Sequence, residues 1–226
     1  MAGDVTWGDE GTLATAQGRT TARTSNRFVF FAAQPARGNR TRWGTDLLWV
    51  AGPASLKFEY DRQTNQRKRL ATTGGDLDDV TATGWYAAAT YVLTGEDKAA
   101  SGLVVPRCPF IPEGGRMGPG AWEVALRWAE LAFDSDDPVD FFDGNITNGI
   151  TGGRRTAENG VEALTVGLNW YLTARLRYTL NWTEYWYDNP LGTPFSCASL
   201  ACSAAQLRPR SDATSWELLT RFQLWF

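Results

Sequence analysis

The feature that most constrains this chain is a period of two in its apolar residues. Leu164, Val166, Leu168, Trp170 and Leu172 alternate with Thr165, Gly167, Asn169 and Tyr171. Successive side chains of an extended strand point to opposite faces, so such a run makes one apolar and one polar face. After the short connection Thr173-Ala174, Leu176, Tyr178, Leu180 and Trp182 alternate with Arg175, Arg177, Thr179, Asn181 and Thr183. Two such runs with so little between them predict an antiparallel hairpin.

The period recurs along the chain. Trp122, Val124, Leu126 and Trp128 alternate with Glu123, Ala125, Arg127 and Ala129. Leu56, Phe58 and Tyr60 alternate with Lys57, Glu59 and Asp61, and Gly52-Pro53 joins them to a run at 41–51. Further runs lie at 20–32 and 80–94. The last run places Trp216, Leu218, Thr220, Phe222, Leu224 and Phe226 on one face, and the chain stops on that aromatic. The pattern predicts an all-β, antiparallel protein of about eight strands with no helix.

The connections near 52–53 and 173–174 are tight. Those at 69–79, 134–158 and 188–212 are long and rich in Asp, Asn, Gly, Thr and Pro. Short turns at one end and long polar loops at the other are the asymmetry of a transmembrane β-barrel. Residues 95–119 break it with Pro106, Pro109 and Pro112, and are read as an irregular, folded-in or plug-like insert. Residues 1–19 are read as irregular or a partial strand, and 20–226 as one barrel domain.

Composition narrows the function. Lys and Arg total 22 against 25 acidic residues, a net charge of −3, so nothing points to nucleic acid. The absence of His removes Ser-His-Asp triads, Cys-His dyads and His-ligated metal. No carboxylate pair or Gly-rich phosphate loop stands out, so neither an enzyme nor a cofactor or metal is expected. The 11 Trp, 7 Tyr and 11 Phe suggest an interface with membrane, ligand or partner. The mean hydropathy of −0.33 looks soluble, but only every second residue of a barrel strand faces lipid.

Several segments resemble a known family. Gly84-Trp85-Tyr86-Ala87 through Tyr91-Val92-Leu93-Thr94-Gly95-Glu96 is one. Gly120-Ala121-Trp122-Glu123-Val124-Ala125-Leu126-Arg127-Trp128 and Leu168-Asn169-Trp170-Tyr171-Leu172 are others, with Leu48-Trp49-Val50-Ala51-Gly52-Pro53 upstream. Together they are similar to the phosphate-selective porin O/P family of Gram-negative outer membranes. The resemblance implies a 16-stranded, homotrimeric porin whose Arg- and Lys-lined lumen passes phosphate. The chain has about half a family member's length and no secretory signal. It is therefore read as the C-terminal half of such a porin, beside the alternative of a short chain closing into eight strands.

If the Trp, Leu and Phe positions face lipid, then Lys57, Arg127, Arg175, Arg177 and Arg221 face the lumen. Guanidiniums there would attract anions and grip phosphate oxygens. Glu59, Asp61, Glu123 and Glu217 share that parity and could neutralise them across strands, so the charges alone leave a general pore open. Arg67-Lys68-Arg69 is placed at the outer mouth, or at a solvated loop end. Cys197 and Cys202 could form a disulfide that pins the last long loop; Cys108 is left over. The acidic stretch Asp134 to Asp143 reads as a solvated loop, with Ca²⁺ a weaker alternative. A soluble β-sandwich binding module and a small non-conducting barrel remain the competing architectures.

Overall fold

The computed structural model describes residues 2–7, 14–19, 29–70, 74–110, 115, 117–134, 159–188 and 214–225. They form ten strands. In chain order these are β1 (Ala2–Trp7), β2 (Ala14–Arg19), β3 (Val29–Ala36), β4 (Asn39–Ala51) and β5 (Ala54–Arg67). They continue with β6 (Leu77–Val92), β7 (Ala121–Asp134), β8 (Asn159–Tyr171), β9 (Leu176–Tyr187) and β10 (Thr214–Leu224). No helix occurs among the described residues. Eight strands make one sheet in the order β1-β4-β5-β6-β7-β8-β9-β10, and every neighbouring pair is antiparallel. The sheet is not closed: β1 and β10 are its edges.

The strand pattern of the sequence is thus the observed one, with one change of membership. The described part of the 20–32 run belongs to β3, which pairs with β2 in a separate two-stranded sheet. The place beside β4 is taken by β1, whose register runs from Ala2↔Gly44 to Trp7↔Asn39. Residues 1–19 therefore contain two strands, one in each sheet.

The turns follow local chemistry. Gly52 has φ +54°, which glycine adopts without strain, and it reverses the chain between β4 and β5. Between β8 and β9 the Thr173 hydroxyl accepts the backbone N–H groups of Arg175 (3.1 Å) and Leu176 (3.0 Å). A side-chain oxygen thus takes the place of a longer loop.

β6 has 16 residues, more than the roughly 9–11 that a tilted strand needs to cross a bilayer. The surplus lies at the end of the long connections. There the concave face carries an apolar cluster of Val80, Phe133, Tyr185 and Tyr187, with Leu131 and Val161 packed against it. β3 approaches both β5 and β8. These strands are three apart in the sheet, so the β2–β3 hairpin lies across the hollow and does not extend the wall.

The described residues of 95–119 form no long strand. They lie at the short-turn end and tie three connections together. The Lys98 N–H donates to the Gly52 carbonyl (2.9 Å), and the Phe110 N–H donates to the Leu172 carbonyl (2.8 Å). Val104 is buried with Val92, Ala121 and Tyr171 on the concave side. On the other side Phe110 meets Trp170 edge to face at 4.8 Å. The segment therefore straddles the rim of the sheet.

Candidate pore wall

Register turns the period of two into rows across the sheet. Lys57, Ala88, Arg127, Thr165, Thr183 and Glu217 stand side by side from β5 to β10. Glu59, Tyr86, Ala129, Ala163 and Tyr185 form the next row on the same face. Apart from Lys57, these rows line a concave trough of about 1520 Å³. The opposite face carries the rows of Leu56, Ala89, Leu126, Val166, Trp182 and Leu218 and their neighbours.

The concave face is polar and extensively bonded. Tyr86 is one hub. Its hydroxyl donates to Glu59 Oε2 (2.7 Å), Lys57 Nζ lies 3.5 Å from the same carboxylate, and the Arg127 guanidinium sits 4.1 Å above its ring. Such a cation over an aromatic face is held by the ring quadrupole. Arg177 is held at the short-turn end. Its Nη1 donates to the Tyr171 hydroxyl (3.3 Å) and its Nη2 to Gln223 Oε1 (2.7 Å), and Trp225 flanks it at 5.2 Å. Arg221 is exposed on β10 and lines the trough.

Of the five cations expected at the lumen, Lys57, Arg127, Arg177 and Arg221 stand on concave-face strand positions. Arg175 shares their parity but falls in the exposed β8–β9 turn. Cys197 and Cys202 lie outside the described residues, as does the acidic stretch from 135 on. Cys108 is exposed and carries a free thiol.

Sequence reasoning missed two further basic residues and the pairing they impose. Arg42 of β4 reaches Asp61 at 3.5 Å. Asp61 lies close over Gly44, where a Cβ would stand 2.4 Å from its Oδ1, so a side chain there would displace the pair. The even-numbered parity of Arg40 and Arg42 was a usable signal. Lys98, in the irregular segment, pairs with buried Glu123; nothing in a periodic pattern marks it. The outcome is a sorting of charge. Asp61, Glu59 and Glu123 are taken by Arg42, Lys57 and Lys98, whereas Glu217 accepts from the Tyr185 hydroxyl. Arg127, Arg177 and Arg221 are in no ion pair found among the described residues.

In the rim segment Glu96 is nearly buried. Burial works against its charge, but bonds from the Thr94 hydroxyl and the Arg107 backbone N–H prevail. They hold its carboxyl below the usual glutamate value of 4.5.

The convex face has the opposite character. Trp216 is 70% exposed, Phe222 72% and Leu126 52%. No second layer covers them among the described residues. Aromatic residues gather at two heights. Trp122 and Trp170 stack at 5.0 Å near the short turns, with Tyr178 and Phe222 beside them at 4.7 Å from each other. Trp128 and Trp186 stack at 5.6 Å, and Trp43 and Tyr60 meet at 5.1 Å, toward the long connections. Trp122 and Trp170 both donate their indole N–H to the Pro119 carbonyl, so polar handles are satisfied where apolar rings are exposed. Two aromatic belts flanking an apolar band are the pattern of the outer face of a membrane β-barrel.

A single antiparallel sheet with a polar hollow and a belted apolar outside is the wall of a porin-type barrel. The sequence pattern of the family "Phosphate-selective porin O and P" matches residues 6–189. This chain belongs to that family. It is 27% identical over 164 residues to Porin O of Pseudomonas aeruginosa, covering 71% of this chain and 34% of that protein. The chain thus spans about a third of the length of the curated relative it matches.

Proposed function

We infer that this sheet is part of the wall of an outer-membrane porin that passively conducts small anions such as phosphate. The observation that carries it is the trio Arg127, Arg177 and Arg221, whose guanidiniums face the trough without carboxylate partners among the described residues. Together with Lys57 and Arg175 they are the proposed lumen cations. Fixed cations in a confined polar trough raise the local anion concentration, and a guanidinium suits a phosphate oxygen pair. Family membership supports a channel and not an enzyme, with no cofactor. Outer-membrane lipid against the convex face and a homotrimeric assembly complete the proposal.

The test is a reversal potential across a planar bilayer under a KCl gradient, followed by competition with inorganic phosphate. The wild-type pore should prefer chloride over potassium, and phosphate should reduce the chloride current. A combined Arg127→Gln, Arg177→Gln and Arg221→Gln variant should lose most of that preference. An unchanged reversal potential would overturn the assignment of these residues.

A further inference from the structure

We propose that Lys98 is a specificity-determining residue: it neutralises Glu123 and thereby leaves Arg177 available to anions. The proposal rests on the anion-pore function above.

Glu123 lies on the concave face of β7, and its side chain is 1% exposed. A lone carboxylate at that position would be an unpaired buried charge. Lys98 Nζ donates to Glu123 Oε1 and also to Thr90 Oγ1. On the other oxygen, Oε2, Asn169 Nδ2 donates at 2.9 Å and the Tyr171 hydroxyl at 2.8 Å. The Tyr171 hydroxyl has a single proton, and it goes to the carboxylate. Its lone pairs are left to accept from Arg177 Nη1 (3.3 Å). A chain of contacts therefore runs from Lys98 through Glu123 and Tyr171 to Arg177. Arg177 is offered a neutral oxygen where it could have met a carboxylate. Its Nη1 and Nη2 meet only neutral oxygens among the described residues, those of Tyr171 and Gln223, so its charge is not cancelled by the wall.

Without Lys98, Glu123 loses its counter-ion, and a buried carboxylate draws in another cation. Arg177 is then the cation linked to it through one shared partner, the Tyr171 hydroxyl. A carboxylate–guanidinium pair would form inside the lumen and remove Arg177 from the anion path. Lys98 can prevent this because the segment between β6 and β7 folds back over the concave foot of the sheet. That placement is fixed by buried Val104 and by the Lys98 N–H bond to Gly52.

The test compares Lys98→Met, Glu123→Gln and the double variant, in the porin purified from membranes in its native assembly. The chloride-over-potassium permeability ratio should fall roughly two- to tenfold in Lys98→Met, the effect of one uncompensated unit charge at intermediate screening. The double variant should return to the wild-type ratio, because no uncompensated carboxylate remains. Glu123→Gln alone should equal or exceed wild type, since Lys98 is then free. If Lys98 only anchored the segment, the single and double variants would lose selectivity alike, and that result overturns the proposal. Should Lys98→Met fail to assemble, a lowered ratio in Glu123→Gln would overturn it equally. A wild-type pore with no anion preference would sink the underlying function, a result separate from the variant pattern.

Discussion

Leu126 and Arg127 are neighbours in the chain and face opposite media. On the convex side, Leu126 sits between Ala89 and Val166 in a row of apolar residues with large exposed areas. On the concave side, Arg127 rests on Tyr86 within a continuous set of hydrogen bonds and ion pairs. In a water-soluble sandwich the apolar face would be the buried one. Here the apolar face is the uncovered one and the polar face is the better bonded. The difference fits the proposed porin wall: lipid needs no partners from the wall, whereas a confined polar hollow needs its charges held in place.

Charge placement should break this comparison first. Leu126→Lys on the convex face should cost about 2–4 kcal/mol in refolding from denaturant into lipid vesicles. Ala129→Lys, on the concave row beside Tyr86, should change stability by less than about 0.5 kcal/mol and raise anion preference. Equal losses in the two variants would mean that the faces do not meet different media.

A smaller effect sharpens the concave half. Tyr86→Phe keeps the ring beneath Arg127 but deletes the hydroxyl bond to Glu59, so it should cost about 1 kcal/mol in the same assay. Because Lys57 still pairs with Glu59, the reversal potential should stay at the wild-type value. A large shift would place Tyr86 in the conduction path itself.

The smallest expected effect lies outside both faces, in the rim segment. Glu96 has a folded-state pKa below 4.5. Its contribution to stability is therefore present above that value and is lost as pH falls through the lower folded one. Amide exchange of residues 95–107, corrected for the intrinsic pH effect, should quicken on acidification past 4.5. In Glu96→Gln that onset should disappear. An identical profile in both proteins would show that the carboxylate does not hold the segment.

Strands were legible wherever the chain crosses the apolar band. The run at 120–133 and β7 (Ala121–Asp134) nearly coincide, because alternating Trp, Val and Leu leave no other register. β5 was legible only to Asp61, yet it extends to Arg67. The remaining Arg-Gln-Thr-Asn-Gln-Arg has polar residues on both faces and lies beyond the belts, so it carries no period. β1 and β2, built on Ala-Gly-Asp-Val-Thr-Trp and Ala-Thr-Ala-Gln-Gly-Arg, show too little alternation to be seen as strands. They are defined by pairing with β4 and β3.

By itself the sequence determined the two faces, since a period of two assigns every strand residue to one side. It also named Lys57, Arg127, Arg177 and Arg221 on the concave face, though it passed over Arg42. Which of those cations are neutralised was decided only by tertiary structure. Lys57 meets Glu59 within its own strand, but Arg42 meets Asp61 across a strand pair, and Lys98 reaches Glu123 from an irregular segment 25 residues away. Coulomb energy depends on distance in space. That distance is set by strand register and by the route of one loop, neither of which is written in the alternation of residues along the chain.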